Sequence, residues 1–155
     1  MAPRRFLHVR TMITGGVIMC ASALSMGQVC TGDVFLNKQA EVDAFNCKEV
    51  TGRLVVSGEN ITNLEPLRIL ERAGGLEIRN TNAASIGSFA SLTEIQGRLI
   101  IDGNPLLTEI GSFASLTKHT GDIEITSNNS LTTINGFSSL ALLSNGSLSI
   151  TTTPY

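Results

Sequence analysis

The octapeptide IGSFASLT occurs twice without a change, at residues 86–93 and 110–117. An offset of 24 residues is the length of one coil of a repeat protein. A chain with that period buries its apolar side chains only by stacking each coil on the next. A wider template surrounds the octapeptide: Gly, a variable residue, an apolar residue, a variable residue and a second apolar residue. It recurs as Gly32 with Val34 and Leu36, Gly52 with Leu54 and Val56, and Gly74 with Leu76 and Ile78. Gly97 with Leu99 and Ile101, Gly121 with Ile123 and Ile125, and Gly146 with Leu148 and Ile150 complete the series. Alternation of period two describes a strand whose apolar side chains point one way. Successive glycines lie 20, 22, 23, 24 and 25 residues apart, too far for hairpins and right for parallel strands stacked coil on coil. The expected fold is mainly β, a parallel β-solenoid of about six coils of 20–25 residues.

Polar turns follow the strands at Gly58-Glu59-Asn60, Asn80-Thr81-Asn82, Gly103-Asn104-Pro105 and Ser127-Asn128-Asn129, where Gly and Asn tolerate tight backbone geometry. Apolar residues then recur at spacings of three, as Leu64, Leu67 and Leu70, then Ile86, Phe89 and Leu92. Ile110, Phe113 and Leu116 follow, then Ile134, Phe137 and Leu140. That spacing suits short 3₁₀ turns packed inward, and it sets Phe89, Phe113 and Phe137 in a column inside the solenoid. The first coil differs. Asn37 can cap a short helix, Lys38 to Asn46, whose Val42 and Phe45 share one face and cover the open end of the stack. Nothing equivalent follows Ile150, so the chain is expected to be a fragment of a longer protein or to self-associate through that uncapped end.

Residues 1–27 read as a secretory signal peptide: Arg4, Arg5 and Arg10 precede an uncharged run from Thr11 to Leu24, and the small residues Ser25 and Gly27 follow. The run is shorter than the ~20 residues a membrane span needs. With no second such run, residues 28–155 are expected to form one domain without a membrane span, secreted or held at the cell surface. That domain keeps eight Lys and Arg against thirteen Asp and Glu. Such acidity argues against nucleic acid as a partner, because phosphate binding needs a basic stripe. Cys30 and Cys47 remain as an even pair in an oxidising compartment and are expected to form a disulfide.

The run CTGDVFLNKQAEVDAFNCKEVTGRLVVSG, beginning at Cys30, resembles the opening of a receptor L domain: Cys, strand, short helix, Cys, then Gly-x-apolar-x-apolar. Farther on, GRLIIDGNPLLTEIGSFASLT is similar to the leucine-rich-repeat-like repeats of the same family in bacterial, algal and fungal surface proteins. The resemblance spans about residues 30–153. It implies a right-handed, leucine-rich-repeat-like solenoid outside the cell, with binding as its usual role.

A ligand would meet such a fold at the outward strand positions. One outward column reads Arg53, Gly75, Arg98, Asp122, Ser147, the next Val55, Glu77, Ile100, Glu124, Ser149, and the third Ser57, Arg79, Asp102, Thr126, Thr151. Adjacent rungs then bring Arg98 to Asp122 and Arg79 to Asp102. The candidate ligand-binding side chains are Arg53, Glu77, Arg79, Arg98, Asp102, Asp122 and Glu124. Nothing resembles a catalytic cluster. His119 is the only His after the leader, and it stands at the core edge where neighbouring coils carry Ile95 and Leu143. Neither a zinc site nor a base–nucleophile pair can be assembled around it, and no cofactor or metal is expected. Polysaccharide-cleaving enzymes built on parallel β-helices need clustered acids and bases. Ice binding needs a flat Thr array, and Thr126, Thr151 and Thr153 are too few. Asn60, Asn128 and Asn145 each begin an Asn-x-Ser/Thr triplet, an acceptor for glycan in a eukaryotic secretory host. The expected function is non-catalytic recognition or adhesion toward an extracellular protein or glycan. The alternative is a structural part of the cell envelope with no specific ligand.

Overall fold

A computed structural model describes residues 28–87, 89–111 and 113–151, so the expected leader lies outside the described residues. The described residues begin with β1 (Gln28–Cys30), β2 (Val34–Leu36), the helix α1 (Gln39–Asp43) and the long strand β3 (Cys47–Ser57). A 3₁₀ turn (Glu65–Ile69) leads into β4 (Arg72–Arg79) and β5 (Ser85–Ile86), and β6 (Glu94–Ile95) runs on into β7 (Leu99–Asp102) and β8 (Glu109–Ile110). The next coils carry β9 (Lys118–Thr120), β10 (Ile123–Thr126), β11 (Thr133–Ile134), β12 (Leu142–Ser144) and β13 (Leu148–Thr151).

Every pairing is parallel, and the strands stack as a β-solenoid of about five turns. One path runs β2, β3, β4, β7, β10, β13. A second runs β1, β3, β4, β6, β9, β12, and because β3 and β4 serve both, the two paths form one ten-stranded sheet. The third, β5, β8, β11, is a separate three-stranded sheet. Only the first path was legible as strand. Pieces such as Glu94–Ile95 or Glu109–Ile110 are two residues long and cannot display an alternation.

The repeated template explains the core. Leu54, Leu76, Leu99 and Ile123 stack along one inward column and Val56, Ile78, Ile101 and Ile125 along the next, all buried. Opposite them the residues at spacings of three are also buried from Leu64 through Leu116. Each such trio closes with a tight turn in which the third residue's N–H donates to the second's carbonyl, as from Leu92 to Phe89 and from Leu116 to Phe113. Phe89, Phe113 and Phe137 form the expected column, with centroids 5.4 and 5.2 Å apart and planes within 5° of parallel.

Between the apolar columns runs a polar ladder where loop residues were expected. Thr81, Asn104 and Asn128, the middle residues of three polar turns, are buried. Asn104 Oδ1 accepts from the Thr81 N–H (3.0 Å) and hydroxyl (2.7 Å), while its amide nitrogen donates to the Ile78 carbonyl (3.1 Å). Asn128 repeats the arrangement one coil on, accepting the Asn104 N–H (3.0 Å) and donating to the Ile101 carbonyl (2.9 Å). An amide carries both a donor and an acceptor, so one side chain satisfies a turn N–H and a strand carbonyl of the coil before it. Buried backbone groups left without such partners would cost about 1–3 kcal/mol each.

The amino-terminal end is closed by α1, with Val42 and Phe45 buried over Val34 and Leu36. The helix is one turn, shorter than Lys38–Asn46, because Cys47 must already lie in β3 to reach Cys30. Asn37 is not its cap. Lys38 occupies that position in an extended conformation, and the Glu41 carboxylate accepts the Asn37 N–H (2.6 Å) instead. Gln39 ties the helix to the next coil, accepting from the Thr62 and Asn63 N–H groups and donating to the Asn63 carbonyl. The Cys30–Cys47 disulfide forms as expected across 17 residues. Closing a loop of that size contributes ~3 kcal/mol on the chain-entropy account.

Candidate functional site

The outward face of the first strand path follows the register read from the template. Val55, Glu77, Ile100, Glu124 and Ser149 occupy one column, and Ser57, Arg79, Asp102, Thr126 and Thr151 the next. Arg53 pairs with Gly75 at the head of the remaining column, and Arg98 and Asp122 continue it through their carbonyls, which accept the Leu76 and Leu99 N–H groups.

The seven candidate side chains are gathered on this face, yet Arg98 and Arg79 do not take the directly opposed carboxylate as their closest partner. Arg98 stands 3.8 Å from Asp122 but bonds Glu124, one column across. Likewise Arg79 is 3.9 Å from Asp102 and 3.1 Å from Glu77, two residues back on its own strand. A guanidinium fork on a long stem reaches a carboxylate of the neighbouring column, diagonal for Arg98 and on the same strand for Arg79, more readily than the rung alongside. Glu77 joins the network by accepting from Arg53 as well (3.2 Å), and its side chain is only 12% exposed. Asp102 takes the Thr126 hydroxyl at 2.6 Å.

Asp33 belongs to this face and was missed. It follows the first template glycine as Arg53 follows the second, a correspondence visible in the sequence. Its carboxylate accepts the Arg53 N–H (2.8 Å) and two guanidinium N–H groups (3.2 and 2.8 Å). Asp122 repeats half of this at the other end, accepting the Ser147 N–H and hydroxyl, each at 3.0 Å. The backbone N–H of Arg53 holds the Asp33 carboxyl below its usual range, and that of Ser147 does the same for Asp122. Phe35, half exposed beside Asp33 and directly above Val55, is the second residue overlooked.

His119 is deeper than a core-edge position, at 1% exposure between Ile95 and Leu143 of the neighbouring rungs. Its Nε2 lies 3.3 Å from the Asp122 carbonyl, and its buried Nδ1 has no hydrogen-bond partner. Burial pushes the imidazole below its ordinary pKa, against the pull of the Asp122 and Gly121 carbonyls. The unfolded chain binds a proton near pH 6.5 and the native one does not, so stability falls as pH drops through that value and levels off below the folded pKa. His119→Ile is expected to stabilise the protein by about 1 kcal/mol at pH 7, by removing an unpartnered buried nitrogen. Urea midpoints for both chains between pH 5 and 8 check this: the gap should widen toward pH 5, and a constant gap would count against it.

Asn128, one of three candidate glycan acceptors, is corrected by its burial: its amide is engaged in the ladder, and a glycan there is incompatible with this fold. Asn60 and Asn145 are exposed, Asn145 in a turn with φ of 56°. Among the described residues no group of three or more His, Cys, Asp or Glu side chains could hold a metal ion. Among them, too, no helix is long and apolar enough to cross a membrane. A depression of about 370 Å³ lies at one corner, lined by Lys48, Arg68, Ile69, Glu71, Ala90 and Ser91. Comparison with protein-family models, with curated proteins and with solved structures finds no match.

Proposed function

We propose that this chain is a non-catalytic recognition or adhesion module acting outside the cell, a right-handed six-coil solenoid of the receptor L domain type that binds protein or glycan through its outward strand face. The observation that carries the reading is the ion-pair network over Asp33, Arg53, Glu77, Arg79, Arg98 and Glu124, which fixes charged side chains across successive rungs. Exposed pairs of this kind contribute only about 0–1 kcal/mol each to stability. Their order instead lowers the entropic cost of meeting a ligand, because the side chains are already immobilised. The disulfide, together with the leader read from residues 1–27 of the sequence, supports a place outside the cytosol.

A second reading, a structural cell-envelope protein without a ligand, is favoured by the same charges being satisfied within the face. Replacing Arg53, Glu77, Arg98 and Glu124 together by Ala separates the two. Beads coated with either chain are scored on printed glycans and extracellular proteins. Recognition requires binding that falls at least about tenfold in the variant while the melting temperature drops by only a few degrees. Absence of binding by the parent chain would leave the structural reading.

We further propose self-association through β13. Leu148 and Ile150 hold inward template positions, yet they are 55% and 47% exposed. Sedimentation of the purified chain at micromolar concentration should show a dimer that Leu148→Ser with Ile150→Ser dissociates. A monomer throughout would overturn it.

A further inference from the structure

On the recognition reading just given, we infer that the ligand is a neutral sugar and that its principal subsite is Phe35 with the Asp33–Arg53 pair. The large apolar side chains exposed among the described residues are Val29, Phe35, Leu106, Leu148 and Ile150. Of these, Phe35 alone lies on the outward columns of the first strand path, where it heads the Val55 and Glu77 column. Phe35 is 52% exposed, with half-buried Val55 on the rung beneath. The electron-rich face of an aromatic ring attracts the polarised C–H bonds of a pyranose, which presents one apolar face about the size of that ring.

The polar groups beside it suit hydroxyls. Arg53 has five N–H donors on its guanidinium, of which Nε and one on Nη2 point to Asp33 and one on Nη1 points to Glu77. Two are therefore open. Asp33 offers about four acceptor positions and uses three, for the Arg53 N–H and the two guanidinium bonds. A donor and an acceptor thus sit side by side, which matches a hydroxyl that both donates and accepts. Residues two apart on one strand are about 6.6 Å apart on the same face. Asp33 immediately precedes β2 and Phe35 is its middle residue, a separation that a single sugar unit covers.

Charge and area choose among ligands. Arg53 is already shared between two carboxylates, so an anionic sugar would meet a locally negative site. A protein partner needs a central cluster of buried anchors, and one aromatic among ion pairs does not supply it.

The test is affinity electrophoresis of the full chain through gels containing soluble β-glucan, mannan, xylan or hydroxyethylcellulose, with polygalacturonate as the anionic comparison. At least one neutral polysaccharide should retard the chain. Phe35→Ala and Phe35→Leu should each weaken that retardation at least about tenfold, Phe35→Trp should preserve it, and melting curves should show all three folded. Retardation by none of the neutral polymers, equal retardation of Phe35→Ala, or strongest retardation by polygalacturonate would overturn the assignment. If protein binding is found on the printed array and depends on Arg53, Glu77, Arg98 and Glu124, the sugar falls while recognition stands. If neither set of substitutions alters any binding, both fall.

Discussion

Phe113→Ala is expected to destabilise the fold by about 4 kcal/mol, near the middle of the range for deleting a buried aromatic ring. Phe113 is fully buried, with Phe89 on one face at 5.4 Å and Phe137 on the other at 5.2 Å. Removing it leaves a void that neither neighbour can fill, because each ring is held to its own coil by the turn bond its carbonyl accepts, from Leu92 N–H at Phe89 and from Leu140 N–H at Phe137. Phe137→Ala is the comparison. That ring has one stacked neighbour among the described residues and is only partly buried, so its loss should cost about half as much. Urea unfolding reads both values, provided the dependence on denaturant keeps its slope. A shallower slope for Phe113→Ala would mean that the stack has split into separately melting halves, which nearest-neighbour coupling permits. Equal costs for the two rings, or less than about 1 kcal/mol for Phe113, would contradict the stacked column.

The strand register, the phenylalanine column and the disulfide were legible because each depends on spacing along the chain. A period of two sends Glu77 and Arg79 outward and Leu76 and Ile78 inward whatever lies above them. Other features depend on what the neighbouring coil supplies. Residue type alone does not distinguish Asn104 from Asn82, yet one is buried in a ladder and the other, one position later in its turn, donates to the Glu59 carbonyl. Opposed charges were read as partners, whereas side-chain reach put Arg98 on Glu124 and Arg79 on Glu77. Threonine carried a similar hidden role. The hydroxyls of Thr93 and Thr108 donate to the Glu71 and Ala84 carbonyls of the coil before, fastening the corners rather than facing a ligand.

Gly97→Ala should cost about 3 kcal/mol, whereas Gly111→Ala in the same coil should change stability by less than about 1 kcal/mol. The template glycines look at first like turn residues chosen for backbone freedom, but the cause at Gly97 is space. A methyl group there would overlap the Gly74 carbonyl oxygen and come within 3.7 Å of the Gly75 Cα. Backbone atoms of the preceding coil cannot move aside without parting the rungs, and the bonds flanking this point would be stretched first. They are those from Gln96 N–H to the Ala73 carbonyl and from Leu76 N–H to the Arg98 carbonyl. At Gly111 the nearest obstacle is the flexible end of the Glu109 side chain, at 3.0 Å, which can swing into solvent. With that obstacle gone, the lower entropy of the unfolded chain offsets what remains. Equal losses for the two substitutions would show that glycine serves flexibility along the whole coil. A loss confined to Gly97 would show that close contact of backbone on backbone sets the rise of the stack, and with it the spacing of every charge on the outward face.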